Sequence, residues 1–103
     1  MIVGKIVGSV VCTQKDPSLV GKTILIVQPI RLENLSNNGS SYVALDAVGA
    51  GPGELVITVG GSSARMTEGF SQTCVDQSVV AILDNIEIRG ETIYDKLSTE
   101  ITV

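Results

Sequence analysis

The chain has 103 residues, a length for one domain with a modest core. Its formal charge is −4, and its seven cations are scattered rather than clustered, which argues against a phosphate-backbone footprint. It has no histidine, so the commonest general base and metal ligand at neutral pH is missing, and no catalytic residue, cofactor or metal site is expected.

Hydrophobic residues make up 44% of the chain and charged residues 17%, below the roughly 25% usual for soluble domains. Few charges are left to cover the outside. Two readings fit: a surface partly hidden against other copies of the chain, or a small Val/Ile-rich domain that stays monomeric.

The chain opens on Ile2 to Thr13, rich in β-branched residues that suit a pleated, half-buried surface. Gly4, Lys5, Gly8 and Ser9 interrupt its apolar character, so neither a signal peptide nor a membrane span is expected, and a cytoplasmic location is. Asp16-Pro17-Ser18 is a turn. Thr23 to Ile30 is the second strand, with Pro29 marking an edge or an end. Asn34 to Ser41 is a turn cluster in which Asn38-Gly39 is a hairpin signal. Tyr42 to Val48 is the third strand, and Glu54 to Val59 the fourth.

After Gly60-Gly61, Ser62 to Glu68 reads as the one helix, capped by Ser62 or Ser63 and ended by Gly69 in a left-handed conformation. Val79 to Ile88 is the fifth strand, which Asp84-Asn85 is expected to bulge or bend. Gly90 breaks it, and residues 91–103 form a tail of weak alternation. The expectation is a mainly β chain: one domain over residues 1–103, a small five-stranded antiparallel OB-like β-barrel with one short helix, its core over about 1–88 and its tail over 89–103.

Gly49-Ala50-Gly51-Pro52-Gly53 resembles the start of a dinucleotide fingerprint. That motif needs a helix after its glycines, so that amides and dipole meet the pyrophosphate. Here Leu55 to Val59 reads as strand and the glycine spacing differs. The stretch therefore reads as a strand-to-strand loop, whose glycines allow close backbone approach. Asp46, Glu54, Asp76 and Asp84 are scattered carboxylates with no spacing that ties a pair to acid–base work. Cys12 and Cys74 have no CxxC spacing; a disulfide between them stays open at this point. With Tyr42, Phe70 and Tyr94 the only aromatics, the stacking platform of single-strand-binding barrels is missing.

Six stretches, in order, resemble the microcompartment vertex-protein family, which includes the carboxysome and ethanolamine-utilisation vertex proteins. They are Val3 to Val11, Thr13 to Lys22, Leu25-Ile26-Val27-Gln28-Pro29, Ala44 to Glu54, Gly60 to Arg65, and Val75-Asp76 with Val79 to Asp84. The resemblance implies an OB-like barrel assembling as a homopentamer in the bacterial cytoplasm. These pentamers would plug the vertices of a polyhedral shell tiled by hexameric shell proteins, with no nucleic-acid or membrane partner. It places Gly49, Ala50, Gly51, Pro52, Gly53 and Glu54 towards the fivefold axis. It suggests Asp46, Ala47, Ala64, Arg65 and Asp84 at subunit contacts. A soluble OB-like binding module is the rival reading, and a small metal- or carboxylate-dependent enzyme the other.

Overall fold

A computed structural model describes residues 1–70 and 75–97. Five strands close a barrel in the order β1-β2-β3-β5-β4: β1 (Ile2–Val10), β2 (Thr23–Pro29), β3 (Tyr42–Asp46), β4 (Leu55–Gly60) and β5 (Gln77–Ile82). A one-turn helix, α1 (Ser62–Arg65), links β4 to β5, and β6 (Asn85–Ile88) and β7 (Glu91–Asp95) form a separate hairpin.

The barrel is small, closed and five-stranded, as expected, but its pairings are not all antiparallel. β1–β2, β2–β3, β1–β4 and β4–β5 are antiparallel, while Leu45↔Ser78 and Asp46↔Val79 make β3–β5 parallel. The reason is arithmetic. Directions cannot alternate around a ring with an odd number of strands, so one pair must run the same way. Here it is β3 and β5, because the chain passes from β3 across the barrel end to β4 and returns antiparallel to it as β5.

Period-two alternation divides the apolar residues between the inside and the outside of the barrel. Ile6, Leu25, Val27, Ala44, Val56 and Val79 fill the interior. Gly4 is required there, because a Cβ on it would lie 2.5 Å from Val27 Cγ1. Their neighbours on the opposite faces need separate cover. Leu45, with Ile24 and Val59, packs under Ala64, Phe70 and Val75 from the connection between β4 and β5. Leu55, with Val3 and Ile30, packs under Tyr94 and Ile86 from the hairpin. Among the described residues the polar side chains of Thr58 and Ser78 are buried, and both are paired: Thr58 Oγ1 with the Tyr42 hydroxyl, and Ser78 Oγ with Thr67 Oγ1 at 2.9 Å.

Three local expectations change. The helix ends at Arg65 rather than Glu68, and the chain continues through turns to Gly69, whose φ of 87° is left-handed as expected. Ser62 and Ser63 do not cap it. They already lie inside the turn, and Gly61, at φ 61°, takes the N-cap position with no side-chain hydrogen bond. The run 79–88 is two strands. It begins as β5 and breaks before Asn85, where β6 leaves the barrel to pair with β7. Arg89 and Gly90, at φ 52° and 79°, make the two-residue left-handed turn between β6 and β7. The start of the expected tail is therefore the turn and second strand of a hairpin. Pro29 does end a strand, and Asn38-Gly39 sits in the longer loop between β2 and β3, where Asn38 N donates to Pro29 O at 2.8 Å. Cys74 lies outside the described residues, and so does its pairing with half-buried Cys12.

Candidate assembly surface

The glycine-rich loop joins β3 to β4 and crosses one end of the barrel. Its start is pinned by Ala47 N donating to Val79 O at 3.2 Å. Its end is pinned by Gly53 N to Ile6 O at 2.8 Å and Ile6 N to Glu54 O at 3.0 Å. Between these points Ala50 packs against the interior cluster, so the loop helps to close the barrel.

Asp46 shapes the first half. Its carboxylate accepts the backbone N–H groups of Val48 at 3.0 Å, Gly49 at 3.1 Å and Ala50 at 3.0 Å. Such a nest of donors is possible because Gly49 takes φ 78°, a conformation that costs a side-chain-bearing residue energy. Glu54 shapes the second half. Its Oε1 accepts Gly51 N–H, and its Oε2 accepts Lys96 Nζ at 2.6 Å. Lys96 N in turn donates to Asp84 O at 2.8 Å, tying the end of the hairpin to the exit of β5. These partners have electrostatic consequences. The Lys96 ammonium, then the Gly51 amide, hold the Glu54 carboxyl below the usual carboxylate range. Glu54 in return raises the Lys96 pKa. Burial pushes the Tyr94 phenol up.

Of the residues suggested for subunit contacts, the structure does not join Asp46, Arg65 and Asp84 into one cluster. Among the described residues the ion pair present is Glu54–Lys96. Ala47 is exposed, and Arg65 and Asp84 face solvent. Ala64 is different: it is fully buried within one subunit against Leu45, Phe70 and Val75, so its methyl has no surface to offer a neighbour. Lys96 was not singled out in the sequence. A lysine two residues past an aromatic in a weakly alternating tail carries no pattern that names its partner 42 residues away.

Large apolar side chains remain uncovered. Val43 is 53% exposed on β3 and Val7 51% on β1. Ile26 lies between them, paired with Val43 on one side and Gly8 on the other. Alternation from inward Ile6 puts Val7 outside, and a β-bulge between Ile6 and Gly8 then sets Gly8 opposite Ile26. Beside Val43 runs a shallow groove lined by Leu19, Ile24, Leu45 and Val75.

The family described as "Ethanolamine utilisation protein EutN/carboxysome" matches residues 1–84. The chain belongs to the EutN/CcmL family. The shell vertex protein GrpN of Rhodospirillum rubrum is 45% identical over 87 residues, which cover 84% of this chain and 97% of that protein. Two solved structures extend the likeness to three dimensions. CcmL of Nostoc sp. PCC 7120 superposes with a TM-score of 0.88 at 43% identity, covering 93% of this chain and 100% of that one. GrpN, described as a pentameric microcompartment shell protein, superposes with a TM-score of 0.77 at 43% identity, covering 85% and 99%. The Nostoc match is longer than residues 1–84 can supply, so within the EutN/CcmL family the likeness to CcmL reaches into the β6–β7 region.

Proposed function

We propose that the chain is a structural, non-enzymatic subunit that assembles as a homopentamer and caps the vertices of a polyhedral microcompartment shell in the bacterial cytoplasm. The observation that carries this reading is family membership across the whole barrel, joined to the uncovered Val7–Ile26–Val43 stripe. A heterologous contact that closes into a ring needs an apolar patch on one flank and a complementary patch on another. The stripe and the groove beside it supply the first.

The flat tiling of hexameric shell proteins cannot close without fivefold units, and in this reading those hexamers are the second partner. The glycine-rich loop lies towards the fivefold axis, where glycines let backbones approach without side-chain clashes. Asp46, Ala47, Arg65 and Asp84 lie at or near contacts between subunits. The covered aromatics favour this reading over a soluble OB-like binder. Phe70 and Tyr94 are 4% and 1% exposed, and Tyr42 packs against the interior, which leaves no stacking platform outside.

The test is co-expression with a hexameric shell protein, read by electron microscopy. Closed polyhedra are expected with the chain present, and open sheets or tubes without it. The same open assemblies in both cases would contradict the reading.

A further inference from the structure

Glu54 is the residue at which two separate parts of the chain meet. One oxygen holds Gly51 in the glycine-rich loop, and the other holds Lys96 at the end of the hairpin. The hairpin has its own reason to be seated, because Tyr94, 1% exposed, packs with Leu55 and Ile30 on the outside of the barrel. Leu55 follows Glu54 directly, so apolar seating and ion pair act on adjacent residues of one strand entrance.

We propose that Glu54 is a relay through which docking of the β6–β7 hairpin sets the shape of the glycine-rich loop, making residues 85–97 a clasp on ring assembly. The consequence for assembly rests on the pentamer reading; the coupling between hairpin and loop does not.

The physical argument is one of constraint. A glutamate side chain near solvent samples several rotamers, and an acceptor that wanders holds no amide in place. Glu54 is 24% exposed, and Lys96 removes that freedom by anchoring the second oxygen at 2.6 Å. Lys96 can do so because its own backbone N–H is fixed on Asp84 O. The loop has few substitutes for the lost bond: Pro52 has no N–H to offer, and the Gly53 N–H is already committed to Ile6 O. Without Lys96 the carboxylate turns to water and the Gly51 amide loses its oriented acceptor.

The test is residue-resolved amide hydrogen exchange on the full chain, with ring formation followed by native mass spectrometry. Three chains are compared: wild type, Lys96→Met, which keeps the apolar stem and removes the ammonium, and the reversed pair Glu54→Lys with Lys96→Glu. In Lys96→Met, exchange at Gly51 is expected to rise about tenfold, as for loss of one charge-assisted hydrogen bond, while Val27 and Val56 in the barrel stay protected. Ring association is expected to weaken in step. In the reversed pair the hairpin amides recover, but Gly51 stays fast, because lysine offers it no acceptor. Gly51 exchange unchanged in Lys96→Met, or restored in the reversed pair, would overturn the relay. A wild-type chain that stays a single subunit would overturn the pentamer reading and the clasp's role in assembly, while the Gly51 response still decides the coupling.

Discussion

The hydroxyls of Tyr42 and Thr58 meet inside the barrel, across 16 residues of sequence. Thr58 is 1% exposed, so neither water nor another side chain replaces its partner there. Tyr42→Phe is expected to cost about 1–2 kcal/mol by leaving the threonine hydroxyl unpaired. Thr58→Val strands the phenol in the same way. The double variant should cost less than the two singles together, because both polar groups are then gone. Urea unfolding at one fixed protein concentration checks this, since stability in an assembling chain depends on concentration.

Asp46 organises three consecutive loop amides, a task no neighbouring side chain duplicates. Asp46→Ala is expected to destabilise the chain by about 1–2 kcal/mol, in the range of a lost helix cap, which does the same work on orphan amides. Hydrogen exchange should rise at Val48, Gly49 and Ala50 and stay low in β1. Equal exchange at those three amides in variant and wild type would count against the role.

Glu54 makes the fold sensitive to acid. Its carboxyl lies below the ordinary range in the folded chain, so the unfolded chain takes up the proton first. The contribution is complete above the unfolded-state value and is lost as pH falls through the folded one. Lys96 has the opposite sign: its pKa is raised, so its contribution is complete below the ordinary lysine range and fades as pH climbs through the folded value. Asp84 also acts on the Lys96 ammonium, so Glu54 is not its sole counter-charge. The urea midpoint of Glu54→Gln should fall less steeply on acidification than that of wild type. Matching acid slopes would refute the assignment.

Ala47 and Ala64 separate assembly from folding. Ala64→Glu would bury a charge with no partner, at a cost of several kcal/mol, and should yield little folded protein. Ala47 is exposed, so Ala47→Glu should leave the folded subunit intact yet form fewer rings. Gly4→Ala is a third case. Its methyl would press on Val27, and overpacking of this kind costs about 1–3 kcal/mol.

The barrel was legible because its signals are local. β-branched runs, Pro29 at a strand end and glycines between Asp46 and Leu55 each act within a few residues, and the five core strands fall where those runs fall. That the pairings could not all be antiparallel was also within reach, since it follows from the count of strands once closure is assumed; which pair runs parallel did not. What escaped depends on contacts distant in sequence. Val79 to Ile88 reads as one β-rich run bent at Asp84-Asn85, yet β6 leaves the barrel, where Ile86 and Tyr94 pack with Leu55. The Arg89-Gly90 turn was a short-range hint of the hairpin, but the Glu54–Lys96 pair left none. Ala64 was misplaced because a small residue on a short helix reads alike at an interface and in a core.

Native mass spectrometry of the purified wild-type chain measures subunit number directly. A ring of five is predicted, weakened by Ala47→Glu. A single subunit at every concentration, with Val7, Ile26 and Val43 facing water throughout, would contradict the account.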